Sequence, residues 1–408
     1  FKAANDKPFS FRFDNQKQQP PTMLKRILLA STVGLALFIP YRLNDTGVHP
    51  VAKVLPDLPV FPTMTIKNIT GRVELLGEHE LVGPESLVQA GSYLFVTLGD
   101  GRIARLSDDS GHMSYKFIAR TGEGTNCGFS PSDEAQTEAQ CGRPLGLTVV
   151  KRSIVDPNYV GEEEDVLLVA DAYKGLLMIS DIYKDTASIT VLATRANSDR
   201  EDYQFQLLNS VVQAPDGSIY VSETSQQFLR RRIFFAAFDG GATGRLLRYT
   251  PNGGVDVVAD GIYMPNGLAL SHDGKSILVV AGVQVLQFPL DSAAEPTLQP
   301  FVYVLPGTGD NIDAMDHLPS GEPRKCYWAG LGSKFAQPFS LLKFATDKPL
   351  LKSILVALVP YKVIVNLIPK LSALAVYDTD GTLIEVYKDD SNIFPWVSEG
   401  ESFGGYLY

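Results

Sequence analysis

The feature that most constrains this chain is a turn that recurs inside a longer unit. Asp100-Gly101, Asp216-Gly217, Asp273-Gly274 and Asp380-Gly381 each adjoin a short alternating apolar run: Arg102–Leu106, Ser218–Ser222, Lys275–Val280 and Thr382–Tyr387. Asp-Gly between such runs is a hairpin signal, because the glycine accepts the positive φ that a tight turn demands. Asn209 precedes Asp216 by seven residues and Asn266 precedes Asp273 by the same seven; the two asparagines and the two turns both stand 57 apart. Related openings at Gly83-Pro84-Glu85, Arg143-Pro144-Leu145 and Gly309-Asp310-Asn311 extend the series. The equivalent positions are Glu85, Leu145, Asn209, Asn266 and Asn311, with a sixth expected near Ser398 or Glu399. No sustained helical period fills the middle of the chain. Repeats of several strands over some 40–60 residues are the signature of propeller blades. The expectation is an all-β fold, a six-bladed β-propeller over residues 75–408 whose last blade is incomplete at the C-terminal residue, Tyr408.

In a propeller the first strand of each blade lines the axis, so equivalent positions converge. The converging set is Glu85, Asn209, Asn266, Asp310 and Asn311, with Leu145 as an apolar member that would mark an open side for substrate. Carboxylates and amide carbonyls are hard oxygen donors suited to Ca²⁺, and without His or Cys the set suits neither zinc nor copper. The competing reading is that these residues cap strands and turns. The five histidines form no pair at catalytic spacing and read as surface residues, and no Gly-x-Ser-x-Gly elbow is present.

Ahead of the repeats lies an uncharged apolar run, Ile27–Ile39, between Arg26 and Arg42. It is shorter than the ~20 residues of a comfortable span. With Lys25 and Arg26 before it and no small-x-small site after it, it reads as an uncleaved signal anchor at 24–42; a cleaved signal is the alternative. Residues 1–22 read as a polar extension and 43–74 as a linker. That topology puts the propeller on the luminal or extracellular side, where the sequons at Asn44 and Asn68 would be open to glycosylation. Cys127 and Cys141 fit a loop-closing disulfide, two reduced thiols being the alternative, while Cys326 reads as a buried small hydrophobe. A second apolar stretch at 340–370, broken by Pro360 and dotted with lysines, predicts two helical pieces. These would lie on a membrane, cover the channel, or simply pack on the propeller. A net charge of −10, with no basic run longer than Arg230–Arg232, gives nucleic-acid binding no support.

Several stretches resemble the strictosidine synthase-like family, in particular its hemomucin-like branch: Leu81–Ser86, Cys141–Gly146, Val169–Leu176, Gly244–Leu247, Met264–Gly267 and Asp310–Ile312. The resemblance covers about residues 75–408 and implies a six-bladed propeller related to paraoxonases and gluconolactonase-type proteins. It implies a channel calcium on Glu85, Asn209, Asn266, Asp310 and Asn311, and a disulfide loop at Cys127–Cys141. The paraoxonase His dyad would fall on Leu145 and near Asp171–Ala172, and is absent. The synthase's last-blade glutamate falls in the region of Glu399 and Glu401. The expected activity is a calcium-dependent, arylesterase-like hydrolysis of esters or lactones with Asp310 as base. A non-catalytic membrane glycoprotein for adhesion or binding is the alternative, and amine–aldehyde condensation the third reading.

Overall fold

The computed structural model describes residues 23–54, 65–108, 112–128, 137–198, 203–291, 297–334, 344–391 and 393–408. It opens with helix α1 (Met23–Thr46), followed by strand β1 (Thr65–Asn68). Five antiparallel blades follow. The first contains β2 (Leu87–Ala90), β3 (Tyr93–Thr97), β4 (Arg102–Asp108) and β5 (Met113–Arg120). The second contains β6 (Pro144–Lys151), β7 (Asp165–Asp171), β8 (Gly175–Ser180) and β9 (Ser188–Ala193). The third contains β10 (Leu208–Gln213), β11 (Ile219–Glu223), β12 (Gly244–Thr250) and β13 (Gly254–Ile262). The fourth contains β14 (Pro265–Leu270), β15 (Ser276–Ala281), β16 (Gln284–Pro289) and β17 (Gln299–Val302). The fifth contains β18 (Gly307–His317), β19 (Pro323–Lys334), β20 (Lys370–Asp378) and β21 (Leu383–Asp389), with β1 added in parallel on β21.

Each blade pairs its strands in sequence order. The glycines of all four Asp-Gly turns have positive φ, between 69° and 90°. Middle strands carry near-continuous apolar runs because neighbouring blades cover both of their faces: every residue of β8 and of β15 is buried. The outer strand β9 by contrast leaves Ile189 and Val191 exposed. First strands of successive blades touch one another. Two glycines permit this approach. A Cβ on Gly146 would lie 2.5 Å from the Asn209 carbonyl oxygen, and one on Gly267 would lie 2.4 Å from the Asn311 Cα.

The expectation of six blades is corrected to five. Among the described residues, the sixth position holds a two-stranded hairpin, β22 (Ser402–Phe403) and β23 (Tyr406–Leu407). The segment leading to it wedges between the fifth and first blades: the Ser398 carbonyl accepts from Asn311 N–H at 2.9 Å, and Phe403 packs among Leu94, Val96 and Leu106.

The anchor helix also differs from expectation. The helix runs through Pro40 to Thr46 instead of ending at the apolar run. Among the described residues no single helix is long and apolar enough to cross a membrane. Its last turn joins a helical layer with α2 (Ile233–Asp239), α3 (Pro349–Leu358) and α4 (Tyr361–Leu367), where Leu43 packs against Val48, Phe235, Phe238, Val356 and Ile364. The break at Pro360 bends α3 against α4 by 119°. Lys352 turns inward, and its ammonium donates to the Val51 and Asp239 carbonyls. The Cys127–Cys141 disulfide is formed, with Cα atoms 5.7 Å apart, and Cys326 is fully buried. Asn44 and Asn68 are exposed, although the Asn68 amide donates to Asp390 at 3.1 Å.

Candidate functional site

Asn209 and Asn266 are each the second residue of a blade's first strand, and Leu145 holds the same place in β6. Glu85 lies just before β2 and continues its ladder, donating its N–H to the Thr97 carbonyl at 3.1 Å. Asp310 and Asn311 lie near the start of β18, beside a bulge between Gly309 and Ile312. The bulge adds residues to one strand of the pair, which turns adjacent side chains out of strict alternation.

Four of the five expected residues are linked. Asn266 Nδ2 donates to Asp310 Oδ1 at 2.7 Å, and Asn311 Nδ2 donates to the Glu85 carbonyl at 3.1 Å. Burial pushes the Asp310 carboxyl well above the usual carboxylate range, and the nearby Glu85 charge pushes it further. Asn209 is buried on β10, but among the described residues no hydrogen bond joins it to the other four. Leu145 does not mark an opening. It is buried against Ala172 and Leu207, with Tyr173 and Ile233 packed around them.

A positive charge missing from the sequence reading sits here instead. Arg143, two residues before Leu145, is completely buried, and its Nη2 donates to Glu85 Oε2 at 2.8 Å. Its Nη1 donates to the Gly83 carbonyl, and its backbone N–H to Asp171 Oδ2 at 2.9 Å. Alignment of the repeats pointed to Leu145, so the arginine beside it was passed over. A second cluster joins Glu399 and Glu401, both named from the sequence, to Asp313, which was not. Asp313 faces Glu399 where the hairpin segment meets β18, and Glu399 Oε2 accepts from Leu87 N–H. Burial raises Asp313 to about 6 and, with the Asp313 charge, lifts Glu399 well above the carboxylate range. Glu401, raised chiefly by burial, reaches about 7.

The set can be tested against a calcium ion. Asn266 Oδ1 and Asn311 Oδ1 are both buried without a hydrogen-bond donor. Such orphaned acceptors are costly unless something positive meets them. Among the described residues no group of three or more His, Cys, Asp and Glu side chains is placed to hold a metal. A cation here would therefore depend on amide oxygens beside the two carboxylates, and that donor chemistry suits Ca²⁺. Arg143 engages one Glu85 oxygen and leaves the other. The residues fit the ion.

The blades arranged around one axis define a β-propeller. The strictosidine synthase family model matches residues 209–286. The chain belongs to the family of adipocyte plasma membrane-associated protein. It is 30% identical to that protein from Gallus gallus, covering 94% of this chain and 86% of the relative. It is 29% identical to strictosidine synthase-like protein 2 of Arabidopsis thaliana, covering 79% of this chain and 78% of the relative. Among solved structures it is similar to a gluconolactonase from Xanthomonas campestris, with a TM-score of 0.47 at 15% identity, covering 88% of this chain and 95% of that one. It is also similar to the calcium-binding protein regucalcin from Agrobacterium tumefaciens, with a TM-score of 0.45 at 15% identity, covering 80% of each chain.

Proposed function

We propose that this propeller is a calcium-dependent hydrolase of esters or lactones, with Glu85, Asn209, Asn266, Asp310 and Asn311 holding the ion. The observation that carries the reading is the pair of buried amide oxygens, Asn266 Oδ1 and Asn311 Oδ1, left without donors beside two carboxylates. Bound calcium supplies a Lewis acid for the oxyanion charge that develops during acyl transfer. The chain's own residues do the rest. Asn266 holds the Asp310 carboxylate through its amide N–H. Asp310 takes the proton of the attacking water as the water oxygen bonds to the acyl carbon. It returns that proton to the departing alkoxide when the ester C–O bond breaks. Arg143 holds Glu85 in place and offsets its charge.

The test is hydrolysis of phenyl acetate and of a γ-lactone, with calcium and with chelator, alongside calorimetric calcium titration. Asp310→Asn is expected to abolish turnover, and Asn266→Ala to weaken calcium binding together with rate. Turnover indifferent to chelator and to Asn266→Ala overturns the mechanism. Calcium binding without hydrolysis of any ester replaces it with the non-catalytic binding reading.

We further propose that the helical layer faces a membrane. Support comes from the name of the vertebrate relatives and from apolar side chains left exposed on α1 and on the bent pair: Leu37, Phe38, Tyr41, Leu350, Val363 and Leu367. The bent pair together has the length and composition of a span, although among the described residues no single helix does. Flotation with phosphatidylcholine vesicles is expected to carry the protein upward. Loss of flotation in Leu350→Glu/Leu367→Glu supports the surface, and unchanged flotation removes α3 and α4 from it.

A further inference from the structure

Glu138 is buried on a single helical turn, Glu138–Cys141, in the connection from β5 to β6. Four residues do not hold a helical turn by themselves, because the first turn fixes many dihedrals for few hydrogen bonds. This turn is held from outside. Cys141 closes the disulfide with Cys127, and Glu123 N–H donates to the Gln140 carbonyl at 3.0 Å. A Cβ on Gly101 would lie 2.0 Å from the Cys141 carbonyl oxygen, and one on Gly122 would lie 2.1 Å from that of Gln140, so both contacts require glycine.

The turn governs two guanidinium groups. Two residues past it stands Arg143, the partner of Glu85 Oε2. Glu138 itself holds the second: Arg230 Nη1 lies 3.1 Å from Glu138 Oε1, with side-chain exposures of 13% and 3%. The Tyr173 hydroxyl donates to Glu138 Oε2 at 2.9 Å and accepts from Arg231 N–H at 3.4 Å, which ties the acid to the segment preceding α2. Arg230 and Arg143 repel each other, and the charges of both reach the Asp310 carboxyl. Asp171, the other acid beside Arg143, is committed to the N–H groups of Arg143, Tyr173 and Lys174.

This arrangement bears on the axial cation. Glu85 and Asp310 are the carboxylates that would attract it, and two guanidinium groups aimed at them would cancel that attraction. Glu138 supplies Arg230 with a different partner. A buried guanidinium deprived of its carboxylate is costly unless it finds another, and Asp310 already lies within its field.

We propose that Glu138 is a positioning residue for the axial calcium residues: it holds the Arg230 guanidinium off Asp310, and the Cys127–Cys141 disulfide holds Glu138 in place to do so. The proposal rests on the calcium reading. Its consequence is that a loop supplying no ligand sets part of the calcium affinity.

Calorimetric calcium titration of the full chain tests it through a double-mutant cycle. Glu138→Gln keeps an acceptor for Tyr173 and removes the charge, and is expected to weaken calcium about tenfold. In an Arg230→Met background the same change is expected to alter affinity less than about threefold, because no guanidinium remains to be released. Cys127→Ser/Cys141→Ser removes no charge, yet should weaken calcium about as much as Glu138→Gln does and be equally silent beside Arg230→Met. Equal weakening by Glu138→Gln in both backgrounds overturns the proposal, since loss of one negative charge through space predicts additivity. Native affinity in Glu138→Gln or in the disulfide variant also overturns it. A native chain that takes up no calcium fails the calcium reading and this inference with it, whereas calcium uptake with an additive cycle fails the inference alone. Should Glu138→Gln not fold, the disulfide variant with and without Arg230→Met decides the matter.

Discussion

Arg143→Met removes a buried cation that touches Glu85 while keeping a side chain of similar length. In the native chain the guanidinium is 2.8 Å from Glu85 Oε2, with side-chain exposures of only 2% and 16%. At an effective dielectric constant of about 20, that separation corresponds to roughly 6 kcal/mol of gross attraction. Burial of both groups consumes part of it, and breaking such a pair by deleting one partner costs about 3–5 kcal/mol. In chelator the variant is therefore expected to lose about 3–5 kcal/mol of unfolding free energy, because Glu85 loses its ion-pair partner and Arg230 is left to offset the charge near Asp310. Calcium should restore more in the variant than in the native chain, since the Glu85 oxygen that Arg143 engaged becomes free for the ion. Native stabilisation at a hundredfold excess over the dissociation constant is about 2.7 kcal/mol. The variant should bind calcium about tenfold more tightly, which adds about 1.4 kcal/mol. Urea unfolding at a series of calcium concentrations, with calorimetric titration, measures both quantities. Identical calcium dependence in the two proteins, or a variant as stable as the native chain in chelator, refutes the reasoning.

Three further outcomes are expected. Cys127→Ser/Cys141→Ser opens a loop of 14 residues and should cost about 3 kcal/mol, read as a lowered Tm; reductant should mimic it in the native protein and do nothing to the variant. The Asp313 carboxyl, held at about 6 by burial, binds its proton more tightly folded than unfolded. Its contribution is thus fully present below pH ~4 and is lost as pH rises to about 6, a loss of roughly 2–3 kcal/mol in chelator that Asp313→Asn should flatten. Glu223→Ala strands Arg245, its completely buried partner across β11 and β12, and should cost about 3–5 kcal/mol in urea unfolding.

Much of the propeller was legible because its signals are local. An Asp-Gly turn between alternating runs states a hairpin by itself, and repetition of the Asn-to-Asp spacing states a blade. The same repetition placed Asn209 and Asn266 at matching points of β10 and β14. The Cys127–Cys141 bond and the break at Pro360 were equally local. Periodicity could not set the number of blades, because a blade exists only when its strands pair. Among the described residues the sixth position has two short strands, and β1, from the stretch read as linker, adds itself to the fifth blade. Nor could it find Arg143, whose role depends on a guanidinium crossing from the second blade to Glu85 before the first, 58 residues away. The Asp313–Glu399 contact and the Glu138–Arg230 pair likewise join residues far apart in the chain. Charge, turn propensity and apolar period belong to single segments and survive in the linear chain. Which charges oppose one another, and which amide oxygens are left without donors, follows only from closing the blades around one axis.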